Sequence, residues 1–164
     1  MNIPYSFKPE IGKGDLGFTD LFGGKRVSKT DRRVKLNALI DDLSALLGLL
    51  KAGLKSKRIK KEISAAQAGL QRAAGAAAGV KIGLDREILR LETLITAHSA
   101  AIKPPKKFTL PGANKTEALA HLARTKTRVC EILAWEIKAK APAVYLNRLS
   151  DYLFLVALKS RIDL

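Results

Sequence analysis

Two short stretches of this chain set charged side chains where a helix would align them. In "ARTKTRVCE", Arg124, Arg128 and Glu131 follow at spacings of four and three, so on a helix all three share one stripe. In "YLNRLSDYLF", Asn147, Arg148 and Asp151 interrupt the most apolar part of the chain, where charge is costly unless paired. Arginines to bind phosphate, an acid to orient them and an asparagine to read a hydroxyl or amide are the parts of a phosphate-ligand pocket. The same residues also suit two internal ion pairs, Arg128 with Glu131 and Arg148 with Asp151.

A third stretch, "GDLGFTDLFGGKRVSK" at 14–29, holds four glycines, two aspartates and the basic residues Lys25, Arg26 and Lys29 without helical or strand period. Glycine lets main-chain N–H groups crowd around an anion, and the flanking cations can close over it. An ordinary solvated loop has the same composition, and both readings stand at this point.

The elements that must position these groups are helical. Of the 164 residues, 47% are hydrophobic and only 5% aromatic, so the core is built of Leu, Ala, Ile and Val, which favours helix on helix. Residues 1–31 read as an irregular arm. From about Arg33, residues Val34, Leu36, Leu39, Ile40, Leu43, Leu46, Leu47 and Leu50 fall on one broad helical face. "EISAAQAGLQRAAGAAAG" is the body of a second helix, whose small residues permit close approach. "LDREILRLETLITAHSA" is a third, with Asp85 in its first turn. The prolines of "KPPKKFTLPGANKT" make 103–116 a loop. Asn114 or Thr116 then caps a fourth helix running to about Lys140. Pro142 breaks it, and a fifth helix follows. The expectation is one domain over 1–164: an irregular arm (1–31) and an all-α, up-and-down five-helix bundle (32–164).

Formal net charge is +15, which calls for an anionic partner. The densest patch, "KAGLKSKRIKK" at 51–61, has six basic residues and no acid. It reads as a solvated helix connection or as a nucleic-acid contact, the latter without aromatics to stack bases. No apolar run reaches the roughly 20 residues of a membrane span, and the N-terminus has no signal-peptide core. One cysteine and two histidines make neither a disulfide nor a zinc site and fit a reducing compartment, the cytoplasm. Cys130 reads as a small buried apolar residue, Trp135 as a packing residue, His98 as a helix-end residue and His121 as packing.

The segments "GDLGFTDLFGGKRVSK", "DDL", "KKFTLPG", "AHLARTKTRVCE" and "YLNRLSDYLF" stand in the order and spacing of ATP:corrinoid adenosyltransferases of the propanediol-utilisation type, and the chain resembles that family from about Gly12 to Leu158. The resemblance implies a trimer of five-helix bundles with active sites between subunits, transferring the 5′-deoxyadenosyl group of ATP to reduced cobalamin and releasing triphosphate. It assigns nucleotide binding to the arm (1–31), and implies that Gly14, Asp15, Gly17 and Thr19 form the loop over the triphosphate with Lys25, Arg26 and Lys29 nearby. It also implies that Arg128 holds phosphate beside Glu131, that Asn147 lies near the nucleotide, and that Arg124 pairs with Asp41 of a neighbouring subunit. Phe108 matches the aromatic residue against the lower face of the corrin. Mg²⁺ would ride on the phosphates, with no protein side chain as ligand. A reductase or an adenosylcobalamin-dependent enzyme is the implied protein partner; membrane and nucleic acid are not.

Seven positions depart from the family pattern. Leu16 stands for Lys, Lys35 for Glu, Ala38 for Gly, Leu39 for Thr, Asp42 for Glu, Ala113 for Gly and Val129 for Arg. They keep open a non-catalytic or weakly active nucleotide- or corrinoid-binding relative, and the +15 charge keeps open, as a further alternative, a basic nucleic-acid-binding bundle.

Overall fold

The computed structural model describes residues 10–22, 24–102, 105, 107 and 109–162. Two short strands, β1 (Phe18–Asp20) and β2 (Arg26–Ser28), precede five helices: α1 (Arg32–Gly53), α2 (Lys57–Ala77), α3 (Asp85–Ala101), α4 (Lys115–Glu136) and α5 (Lys140–Ile162).

The first helix starts where Asp31 accepts the N–H of Arg33 and buries Leu36, Ile40, Leu43, Leu47 and Leu50. Those positions alternate by four and three, which keeps them on one stripe. Ser56 caps α2 by accepting the N–H of Ile59, and Asn114 caps α4 through the N–H of Glu117. Of the basic patch, Lys51 lies in the last turn of α1 and Lys57–Lys61 open α2, so most of it is helix rather than connection.

α5 is the central element. It packs on α2, α3 and α4, while α1 packs on α2 and α4. Tyr145, Leu146, Leu149, Tyr152, Leu153, Val156 and Ala157 of α5 are all buried. The small residues of α2 have a steric reason. A Cβ on Gly69 would overlap the Tyr145 ring and hydroxyl, and that hydroxyl donates to Ala66 O at 2.8 Å. α3 has fewer buried residues, Leu91 and His98, and its main contact is with α5.

The fourth helix stops earlier than Pro142 implies. Ala139 N–H bonds Ala134 O, Lys138 N–H bonds Trp135 O, and Lys138 takes the left-handed conformation at φ 60°. This is a helix-ending motif built without glycine. Pro142 breaks nothing; it lies in the first turn of α5, where a missing N–H costs no helical bond.

The arm is not irregular throughout. β1 and β2 pair antiparallel with Thr19 opposite Val27, around a turn closed by Leu21 N–H to Lys25 O at 2.9 Å. Leu21 and Val27 bury against Ala78, just past α2, with Val34 packed alongside. That contact pins the hairpin to the bundle end where α1, α3 and α5 begin.

Candidate functional site

Within the arm, residues 12–17 form two successive turns, with Asp15 N–H to Gly12 O at 3.1 Å and Gly17 N–H to Gly14 O at 3.2 Å. Two of the N–H groups expected to face an anion are thus used inside the loop. Gly17 sits at φ 77°, a conformation that favours glycine. Lys29 is brought back over the turn by its N–H bond to Gly17 O at 2.8 Å. Its ammonium lies 2.9 Å from where a Cβ on Gly14 would stand, so Gly14 leaves room for that cation. Lys25 is exposed. Arg26 is engaged instead: it donates to Lys13 O at 2.9 Å and pairs with Asp20 at 3.5 Å. Thr19 is half-buried in the hairpin, and Leu16 is exposed.

At the join of arm and bundle, the Arg33 guanidinium bonds Asp31 at 2.6 and 3.0 Å. Those bonds and the Arg33 N–H hold the Asp31 carboxyl at about 2.

The two polar stretches of α4 and α5 meet, but not as the two ion pairs suggested by their spacing. Glu131 accepts from Asn147 Nδ2 at 3.2 Å. Arg148 Nη1 donates to Asn147 Oδ1 at 2.6 Å, and its Nε donates to Glu92 of α3 at 3.0 Å. Neither Arg128 nor Asp151 has an ion-pair partner among the described residues, and both are exposed. The reason is rotational: Glu131 and Arg148 turn into the seams α4–α5 and α5–α3, away from their own helix neighbours. Arg128 is left as an open cation beside a Glu–Asn pair.

Asp41 and Arg124 do not meet within one chain. Asp41 is exposed, and Arg124 Nε reaches His121 Nδ1 at 3.4 Å. The neighbouring Asp42 pairs with Lys126 at 2.6 Å; together with Arg32–Glu136 at 3.4 Å, this sets the antiparallel register of α1 on α4. Lys35 and Ala38 are exposed, while Leu39 packs on the core.

Phe108 lies outside the described residues. The backbone after it is held by Glu117, which is fully buried. One oxygen of Glu117 accepts the N–H groups of Gly112 and Ala113 at 2.7 and 3.1 Å, and the other pairs with Arg161 at 3.2 Å. The signal for this anchor was the Asn114–Glu117 spacing, a helix-start pattern. Glu92 had no such signal, being 56 residues from Arg148.

His121 is buried as a packing residue. With Nδ1 accepting from Arg124, the proton belongs on Nε2, which lies 3.5 Å from Glu117 and too poorly aligned to bond it. Burial lowers its pKa; Glu117 opposes this, and Arg124 and Arg161 add to it. His98 lies in the last turn of α3, as its sequence position implies, and is buried there with Nε2 2.9 Å from Glu62, which Tyr152 also bonds at 2.9 Å. Cys130 is buried, which pushes its thiol up to about 11. Trp135 is not a packing residue within the chain. It is 49% exposed, on a surface of α4 with Leu122, Val129 and Ile132.

The arm, Arg128, Glu131 and Asn147 lie towards one end of the bundle. No hydrogen bond or ion pair among the described residues joins the arm to that cluster. Two half-open clefts lie elsewhere, about 140 Å³ between α2 and α3 and about 300 Å³ beside Leu54 and Asn114. On a single chain Arg128 is exposed, while Glu131 and Asn147 are half-buried.

Residues 10–160 match a protein-family model described as cobalamin adenosyltransferase. The chain is 35% identical over 158 residues to a corrinoid adenosyltransferase of Citrobacter freundii, covering 88% of this chain and 89% of that protein. It is equally similar to a corrinoid adenosyltransferase of Bacillus subtilis strain 168, at 35% over 158 residues, covering 88% and 81%. Among solved structures, it superimposes on a phenylalanine-to-alanine variant of a PduO-type ATP:corrinoid adenosyltransferase from Lactobacillus reuteri, complexed with cobalamin and ATP. That match has TM-score 0.85, 25% identity and coverage of 93% and 92%. An arginine-to-lysine variant from the same organism, complexed with ATP, matches with TM-score 0.85, 25% identity and 94% coverage of each chain.

Proposed function

The chain belongs to the cobalamin adenosyltransferase family, and from that membership we propose how its own residues serve the reaction. It transfers the adenosyl group of ATP to the cobalt of a reduced corrinoid. The observation that carries this is the family match from residue 10 to 160, which takes in the arm and every helix together.

The electron pair of Co(I) forms the Co–C5′ bond, the C5′–O bond breaks, and triphosphate leaves with that bond's electrons. The attacking atom bears no proton, so no general base is required. The protein's work is alignment and charge neutralisation. Lys25 and Lys29 are the arm's open cations for the triphosphate; Arg26 serves by fixing the loop through Asp20 and Lys13 O. Gly14, Asp15, Gly17 and Thr19 shape the loop around it. Arg128 reaches phosphate from α4, with Glu131 and Asn147 beside it for the nucleoside. Phe108 covers the lower corrin face and keeps an axial base away.

Among the described residues no cluster of three His, Cys, Asp or Glu could hold a metal. In this reading Mg²⁺ would be held by the phosphate oxygens of ATP, where it would offset charge on the leaving group.

Two features support assembly as a homotrimer. Leu122, Val129, Ile132 and Trp135 are apolar and exposed on α4, a surface that an interface would cover. Asp41 is exposed and Arg124 bonds only His121 within the chain among the described residues, which is compatible with the Asp41–Arg124 pair between subunits. Val129, one of the departures, adds to the apolar surface, so it is read as an interface change rather than a lost phosphate ligand. No described helix is long and apolar enough to cross a membrane, and a cytoplasmic location is part of this reading. So is a reductase or an adenosylcobalamin-dependent enzyme as a transient partner. The +15 charge serves to draw ATP to the site.

Anaerobic incubation with ATP, Mg²⁺ and chemically reduced cobalamin tests the activity. The visible spectrum should become that of adenosylcobalamin; persistence of the unalkylated corrinoid would make the chain a binding relative instead.

A further inference from the structure

We infer that Glu92, on a helix that carries no motif, is a positioning residue of the nucleotide site; this rests on the placement of Asn147 at the nucleotide proposed above. The basis is a directed chain of hydrogen bonds across three helices. Glu92 on α3 accepts from Arg148 Nε at 3.0 Å. Arg148 donates through Nη1 to Asn147 Oδ1 at 2.6 Å. Asn147 donates through Nδ2 to Glu131 on α4 at 3.2 Å.

The chemistry gives this chain only one polarity. A guanidinium has donors and no acceptor, and a carboxylate the reverse. Turning the Asn147 amide over would set its NH₂ against Arg148 and its oxygen against Glu131, breaking both bonds. Arg148 and Glu131 together therefore decide which way Asn147 faces, and its second N–H remains to donate to a ligand acceptor.

Glu92 decides whether Arg148 is there to do so. Asp151 lies three residues from Arg148 on the same helix face, exposed and without an ion-pair partner among the described residues. It is the natural competitor for the guanidinium. Without Glu92, Arg148 swings to Asp151 or to water, and the amide is free to rotate. The Glu92–Arg148 pair is itself 44% and 36% exposed, and pairs so exposed contribute little to stability. Its consequence is orientation rather than fold.

The test compares wild type, Glu92→Ala, Glu92→Gln and Arg148→Lys by Mg-ATP calorimetry, corrinoid KM and thermal midpoint. Glu92→Ala should weaken ATP roughly tenfold, the equivalent of one charge-assisted hydrogen bond, with corrinoid KM held within about twofold. Glu92→Gln keeps an acceptor for Arg148 and should recover most of the loss. Arg148→Lys keeps the charge but loses the fork and should behave as Glu92→Ala, which holds the proposal to account if the alanine variant does not fold. Unchanged ATP affinity in folded Glu92→Ala and Arg148→Lys, beside a weakened Arg128→Ala, would overturn the role of Glu92 and leave the site standing. A wild-type chain that binds no ATP would overturn the site and this inference together.

Discussion

Glu117 and Arg161 meet at 3.2 Å between α4 and the end of α5, and the opposite oxygen of Glu117 takes the N–H groups of Gly112 and Ala113. One buried carboxylate thus ties the segment after Phe108 to the bundle. Glu117→Ala leaves those N–H groups without their acceptor and should cost about 1.5–3 kcal/mol, the range for a lost charge-assisted hydrogen bond. Chemical denaturation measures it. A midpoint equal to wild type would mean the anchor is idle.

Arg128 is an open cation on α4, with its neighbour Glu131 held by Asn147. Arg128→Ala should therefore reduce ATP binding by about 1.5–3 kcal/mol while leaving thermal stability close to wild type, since no ion pair is lost. Calorimetry with Mg-ATP gives the first quantity and a melting curve the second. Equal ATP affinity would remove Arg128 from the site.

Phe108→Ala separates corrin contact from core packing. As a corrin contact, the variant stays folded, binds ATP and works on cobalamin already reduced to Co(I), but loses activity when the reaction starts from Co(II) with its lower base bound. As a core plug, the same change would cost about 3–5 kcal/mol of stability and damage every activity alike. Full activity from Co(II) in a folded variant contradicts the assignment.

The buried His121 makes a pH prediction with a definite sign. Its folded pKa lies below the ordinary 6.5, so the unfolded chain takes up the proton first as pH falls. Stability is full above about 6.5 and declines below it. Glu62 acts further down. Burial pushes its carboxyl up, but bonds from His98, Arg58 and Tyr152 outweigh that and hold it below the ordinary 4.5, so its contribution is lost only as pH falls under that value. His121→Asn should flatten the denaturation midpoint between about pH 7 and 5 and leave the steeper acid loss in place. A wild-type midpoint independent of pH across the upper window would contradict the role given to His121.

The five helices were legible because Leu36, Ile40, Leu43, Leu47 and Leu50 repeat at the helical period, and Asn114 announces its helix by its type. The hairpin was not. Three-residue strands are too short to show alternation, and their register comes from the Leu21–Lys25 turn and from burial against Ala78, which is far away in sequence. The polar residues of the candidate site stood out by their types, but their pairing was misread. Spacing along one helix proposes partners such as Arg148 and Asp151; which side chain turns into a seam is decided by the neighbouring helix. Glu92 was invisible for the same reason.

The light attachment of α3 has a dynamic consequence. Its buried set is small and its packing is mainly on α5, with Glu62–His98 and Arg72–Glu87 as its ties to α2. Such an element opens before the global transition. Amide hydrogens of α3 should then exchange ahead of those of α1 and α5, and each opening carries Glu92 away from Arg148. The nucleotide site would be disarranged by excursions that leave the core intact, so conditions that loosen α3 would lower activity while most of the helical circular-dichroism signal remained.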